Sequence, residues 1–322
     1  MERILVTGGA GFLGSHVCER LLARGAAVRA LDAFDPYYDP ARKRRTAAAL
    51  AARGVEVREG DVLDREVLAA ALAGVDAVVH LAARPGVRAS IDDPETSLRI
   101  NVLGTLSVLE GLRRSEVQRL VFASSSSVYG GDAEPPFRED APANQPLSPY
   151  AASKRAGEHL CATYATLHGL GVFALRFFTI YGPRGRPDMA VGKFVDRALA
   201  GEPVPLYGDG SVVREFTYVD DAVEGVLAAL DRTAPGGGYA LCNVGGGASA
   251  SVRELIAAIE DAVGCPLRVE RRPPAAGDMP ATGADLARAR ALLGYAPRVS
   301  LAEGLARTVA WARAERAAHA SE

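Results

Sequence analysis

The sequence predicts an α/β protein: a doubly wound parallel sheet covered by helices on both faces, with a smaller C-terminal α/β lobe. Three observations predict it. Short apolar, β-branched runs alternate with Ala/Leu-rich amphipathic stretches through the first half of the chain, which is the pattern of βαβ units. The first run passes directly into a glycine-rich turn over 7–14 and then into a helical pattern ending near Gly25. After Phe177 the pattern shortens and is punctuated at Gly182-Pro183, Gly201-Glu202-Pro203 and Pro235-Gly236-Gly237-Gly238. A chain of 322 residues has room for two units of roughly 150 residues each. The division expected is a dinucleotide-binding domain over 1–177 and a mainly substrate-binding lobe over 178–322, with a helix over 249–263 able to return to the first domain.

Composition narrows the function classes. Hydrophobic residues make up 48% and charged residues 24%, and 37 Lys+Arg against 39 Asp+Glu leave a net charge of −2, so a nucleic-acid partner is not expected. Only Lys43, Lys154 and Lys193 are lysines, which singles each out in an arginine-biased chain. Cys18, Cys161, Cys242 and Cys265 lie far apart, so neither a metal site nor a disulfide framework is indicated. The first strand starts within five residues of Met1 and no apolar run approaches the roughly 18 residues of a membrane span. The expectation is a soluble cytoplasmic protein.

The elements follow in order. Strands are predicted at 3–7, 27–31, 55–59, 77–81, 119–124 and 172–177. Gly8, Gly11 and Gly14 form G-x-x-G-x-x-G with Phe12 and Leu13 between the last two. The first two glycines let the backbone approach a pyrophosphate, the third lets the helix pack on the strand, and the helix N-terminus offers unpaired N–H groups to the anion. Asp32 follows at the end of the second strand, where a carboxylate accepts both hydrogen bonds of a ribose diol and repels a 2′-phosphate. This Rossmann-type arrangement therefore favours NAD over NADP. Asp61-Val62 after the third strand and Leu81-Ala82-Ala83 after the fourth border the same crevice. Each taken alone reads better as a turn aspartate or a small packing residue. His80 has no partner in the sequence and reads as a strand-end residue.

Ser148-Pro149 starts a helix on which Tyr150 and Lys154 stand four residues apart and share one face. A phenol titrates near pH 10, so its ionisation near pH 7 needs roughly 4 kcal/mol of stabilisation. One ammonium and one oxidised nicotinamide, both partly desolvated, can supply that. The pattern alone also fits a solvated helix face. Its place one βα unit after the serine-rich strand end Ser124-Ser125-Ser126-Ser127, and the rarity of lysine, favour catalysis.

With these motifs the chain resembles the extended short-chain dehydrogenase/reductases over essentially its whole length, and within them the nucleotide-sugar 4-epimerases. That resemblance implies tightly held NAD, Ser125 on the sugar 4-oxygen, Asn101 lining the site, and a homodimer through helices over 97–112 and 150–168. Related dehydratases and decarboxylases carry acidic residues where this chain has Ser126 and Ser127, which favours simple epimerisation. The stretch from Leu175 to Met189, with Thr179 and Arg186, resembles the UDP-glucuronate 4-epimerases, as does 34–40 followed by the basic run 42–45. Arg214 matches the family arginine that binds a substrate diphosphate, and Pro205, Tyr207 and Asp278 match nucleotide-contacting stretches. Ala275 stands where many relatives have arginine, which shifts diphosphate binding onto Arg214 and Arg88. The substrate expected is a UDP-sugar, UDP-glucuronate ahead of UDP-glucose. A non-catalytic NAD-binding regulator is the reading from another class, which Tyr150 and Lys154 argue against.

Overall fold

A computed structural model describes residues 1–131, 133–273, 279 and 281–319. The first six strands are β1 (Arg3–Thr7), β2 (Ala27–Asp32), β3 (Glu56–Glu59), β4 (Ala77–His80), β5 (Arg119–Ser125) and β6 (Gly171–Phe177). Each lies within one residue of its predicted ends. Six more follow: β7 (Thr179–Tyr181), β8 (Val204–Tyr207), β9 (Val213–Tyr218), β10 (Tyr239–Val244), β11 (Ser249–Ser251) and β12 (Val269–Arg272). The main sheet has the order β10-β6-β5-β4-β1-β2-β3 with every pairing parallel. Strand order reverses between β1 and β4, and a ligand crevice belongs outside the carboxyl ends of the strands at such a point.

Alternation along the strands explains the two cores. Ile4 and Val6 point into one cluster with the helices Phe12–Ala23 and Val219–Arg232, while Leu5 and Val78 point into the other with the helices Arg65–Leu72, Gly104–Arg113 and Pro149–His168. Both faces of the sheet are therefore buried, which is why its strands read as continuous apolar runs.

The second half of the chain divides its labour. Strand β10 completes the main sheet beside β6, and the helix Val219–Arg232 packs against the helix Phe12–Ala23, β5 and β6. The helix expected over 249–263 does not return there; it packs on the helices Ala190–Ala200 and Leu301–His319. It also starts later, at Val252, because Ser251 accepts the Glu254 N–H while the Glu254 carboxylate accepts the Ser251 N–H, a capping box that fixes the first turn. Two small sheets, β11-β9-β7 and β12-β8, make up the rest of the lobe. Among the described residues no helix is long and apolar enough to cross a membrane.

Candidate active site

The glycine turn after β1 is held open by contacts that tolerate no side chain. Gly8 sits at φ +69°, and a Cβ there would come within 2.9 Å of the Ala82 nitrogen; a Cβ on Gly14 would stand 2.1 Å from the Gly8 carbonyl oxygen. The turn leads into the helix Phe12–Ala23, whose cap Gly11 uses no side chain, so its first N–H groups face the crevice. Asp32 is buried, and its two oxygens accept the Ala10 N–H at 3.0 Å and the Phe34 N–H at 2.9 Å. Burial pushes its carboxyl up from the ordinary value; these hydrogen bonds and Lys43 pull the other way.

A directional relay ties this turn to the opposite wall. The Thr105 hydroxyl donates to the Asn101 carbonyl at 2.6 Å, so it accepts from His80 Nε2 at 3.2 Å; His80 Nδ1 then accepts from the Thr7 hydroxyl at 2.7 Å. Burial keeps this imidazole neutral, its pKa down at about 3. His80, partnerless in the sequence, thus has two hydroxyl partners and locks β1 against the start of the wall over 81–84.

Asn101 does not line the cleft. It lies in a wide π-turn (Arg99–Leu103) that interrupts the predicted helix, buried behind the wall. Its amide accepts the Arg84 N–H at 2.7 Å and donates to the Arg84 carbonyl at 3.0 Å and to Ser153 Oγ at 2.9 Å. Its work is to hold the wall in place.

The catalytic candidates converge. Ser148 caps the helix Pro149–His168 by accepting the Ala151 N–H. Tyr150 and Lys154 then face the end of β5, where Lys154 Nζ donates to the Ala123 carbonyl at 2.8 Å and lies 6.0 Å from the centre of the Tyr150 ring. Burial raises the Tyr150 phenol above its ordinary value, while the Arg186 charge and a hydrogen bond with Ser125 pull it down. Burial also lowers Lys154, to about 8. The ammonium thus stands close enough to the Tyr150 ring to favour the charged form of the phenol over the neutral one. The Ser127 N–H and hydroxyl both donate to Ser125 Oγ, at 3.2 and 3.0 Å, which fixes the serine turn beside the phenol.

One cleft of about 420 Å³ gathers most of the predicted site. Gly8, Gly11, Phe12, Leu13, Gly14, Asp32, Asp61, Val62, Leu81, Ala82 and Ala83 line one part; Ser125, Ser126, Ser127, Tyr150, Lys154, Thr179, Arg186 and Arg214 line the other. Arg88, Pro205 and Tyr207 stand outside these walls, with the Arg88 guanidinium 4.7 Å over the Tyr207 ring. Asp278 and Ala275 lie outside the described residues. Sequence reasoning assigned no role to Tyr37, Tyr38 and Lys43, which also line the cleft. The scarcity of lysine was the available signal for Lys43, whose ammonium donates to the Asp35 carbonyl at 3.0 Å.

Comparison with known proteins places the chain among NAD-dependent epimerases and dehydratases. Residues 4–245 match the NAD dependent epimerase/dehydratase family. The chain is 39% identical to a UDP-glucuronate 4-epimerase of Thermodesulfobacterium geofontis, over 97% of both chains. The structure of the UDP-glucuronic acid 4-epimerase from Bacillus cereus with UDP-glucuronic acid and NAD superposes with a TM-score of 0.91 at 35% identity, over 97% of this chain and 99% of that one. A Thermotoga maritima UDP-glucose 4-epimerase with UDP-glucose is also similar, with a TM-score of 0.88 at 32% identity over 98% and 99% of the two chains.

Proposed function

The chain belongs to the NAD-dependent epimerase/dehydratase family, and from that premise we propose that it is a UDP-sugar 4-epimerase that interconverts UDP-glucuronate and UDP-galacturonate. The glycine cradle, where added Cβ atoms at Gly8 and Gly14 would fill the turn, and the buried carboxylate of Asp32 fit NAD. When bound, NAD supplies the oxidising and then the reducing equivalent at the sugar C4.

The protein's own groups do the rest. Tyr150 takes the 4-hydroxyl proton and later returns it, Lys154 stabilises the phenolate as a buried cation, and Ser125 passes the proton between phenol and sugar oxygen. Arg214, at the cleft wall, meets the diphosphate. The difficulty lies at C6: a 4-keto sugar with a 6-carboxylate is a β-keto acid, and it loses carbon dioxide when the bond to the carboxylate aligns with the carbonyl π system. Such an epimerase must hold the carboxylate out of that alignment and keep general acids away from it. The observation that carries the reading is the set of groups around Tyr150: the Arg186 cation with the hydroxyls of Ser126, Ser127 and Thr179, and no carboxylic acid on the serine turn. Arg186 offers a planar, permanently charged fork.

The test compares kcat/KM for UDP-glucuronate over UDP-glucose in wild type and Arg186→Ala. A hydrogen bond to a charged group is worth about 1.5–3 kcal/mol, so the ratio should fall by one to two orders of magnitude. A wild type that prefers UDP-glucose, or a ratio that Arg186→Ala leaves unmoved, refutes the carboxylate reading and leaves the neutral-sugar reaction in its place. We further propose that the protein is cytoplasmic and that it forms a homodimer through the helices over 97–112 and 150–168. The homodimer is supported by exposed Leu98 and Leu103 along 97–112 and Leu167 on the helix Pro149–His168.

A further inference from the structure

The loop that carries Arg186 is anchored from two sides. At its start His16 Nε2 meets the Pro183 carbonyl at 2.9 Å, and Glu19 takes the Arg184 fork at 3.0 and 2.7 Å, so the dinucleotide-binding helix Phe12–Ala23 grips its base. At its end Asp188 accepts from Arg186 Nε at 3.0 Å and Nη2 at 2.6 Å, and the Tyr37 hydroxyl donates to the same carboxylate at 2.9 Å. Tyr37 comes from the loop after β2, so this hydrogen bond crosses between the two halves of the chain. It is itself held: its N–H donates to Asp35 at 2.9 Å, and Arg84 pairs with Asp35 and lies 5.1 Å over the Tyr37 ring. The fit at its hydroxyl is tight. Gly86 has φ +105°, and a Cβ there would stand 2.5 Å from the Tyr37 oxygen.

We propose that Tyr37 and Asp188 are positioning residues that brace the Arg186 guanidinium in the sugar end of the cleft, and so set the selectivity for an anionic over a neutral sugar. An arginine side chain gives up considerable rotamer freedom when it is ordered, and a nearly buried cation without a partner is costly. The Arg186 side chain is only 19% exposed, and Asp188 answers both demands before a substrate arrives. Asp188 occupies Nε and Nη2 and the Tyr37 hydroxyl stands against the same guanidinium, which leaves the Nη1 hydrogens off the Asp188 carboxylate. An anionic sugar gains a charged, pre-oriented donor there, and a neutral sugar gains far less. The brace rests on the acidic-sugar reading above.

The test is a double-mutant cycle on selectivity. Bound NAD and thermal unfolding are recorded for wild type, Tyr37→Phe, Arg186→Ala and the double variant, and kcat/KM is measured for UDP-glucuronate and UDP-glucose. Tyr37→Phe removes one oxygen and keeps the ring; acting on the sugar only through Asp188 and Arg186, it should lower the acidic-to-neutral ratio by about fivefold to tenfold, less than the loss of Arg186 itself. In the Arg186→Ala background the same change should leave the ratio where Arg186→Ala put it, because the brace then has nothing to hold. A ratio unmoved by Tyr37→Phe, including equal losses on both sugars, overturns the brace alone. So does an undiminished effect of Tyr37→Phe in the double variant. A wild type that prefers UDP-glucose overturns the acidic-sugar reading and the brace together.

Discussion

Lys154 carries its charge in a place that resists it. Burial lowers its pKa to about 8, so between about 8 and the ordinary 10.5 the folded chain binds fewer protons than the unfolded one, and stability rises with pH across that window. In the proposed mechanism activity runs the other way, because the ammonium proposed to support the Tyr150 phenolate is lost as pH rises. kcat for the epimerisation should decline above about pH 8, and the decline should be absent from Lys154→Arg, whose charge does not titrate. A flat wild-type profile to about pH 10, roughly two units past that point, would contradict this role. Tyr150→Phe removes the titrating oxygen and keeps the ring, so turnover should fall by orders of magnitude with the fold intact by circular dichroism. Retention of most activity would assign the proton to another group. These two residues were readable in advance because a tyrosine and a rare lysine four apart have a chemical meaning. His80 was not, because its meaning is the pair of hydroxyls, Thr7 and Thr105, that the fold brings to it.

At the scale of elements, a buried ionic cluster of Glu158 with Arg176 and Arg155 ties the helix Pro149–His168 to the sheet. Glu158 stands one turn beyond Lys154, accepts the Ser124 hydroxyl at 2.6 Å and takes the Arg176 fork of β6 at 2.8 and 2.8 Å; both charged side chains are 1% exposed. The guanidinium also lies 4.6 Å over the ring of Tyr129, whose hydroxyl donates to Asn243 on β10. The helix Pro149–His168, β5, β6 and β10 are thereby joined through polar contacts beneath the serine turn. Arg176→Met leaves Glu158 with Arg155, at 2.8 Å, as its remaining ionic partner, so it should cost roughly 3 kcal/mol in urea titration, the low end for breaking a buried pair; a loss under about 1 kcal/mol, the scale of a surface pair, would show the Arg176 contact to be dispensable. Burial pushes the Glu158 carboxyl up, but the hydrogen bonds and charge of Arg176 bring it below the ordinary 4.5. Its contribution is therefore present above about pH 4.5 and lost as pH falls below it. An arginine in an arginine-biased chain gave no hint of this, since what distinguishes Arg176 is burial.

For the whole molecule, the site lies where the order of the main sheet reverses and where the second half of the chain folds over its edge. The helices proposed for self-association leave Leu98 42%, Leu103 51% and Leu167 68% exposed. The protein should sediment as a dimer at micromolar concentration, and Leu103→Asp should shift it toward monomer. A wild type that sediments as a monomer refutes the homodimer. The sequence by itself determined the six strands, the glycine turn, Asp32 and the tyrosine–lysine pair. Each of these is set by local periodicity or by chemistry carried within a few residues. The tertiary structure alone decided that β10 and the helix Val219–Arg232 complete the first sheet, that Asn101 and His80 brace the walls, that Arg88 stacks on Tyr207 outside the cleft, and that Tyr37 reaches Asp188. The physical reason is shared: each depends on two groups, distant along the chain, meeting in space, and no local pattern of side chains encodes that meeting.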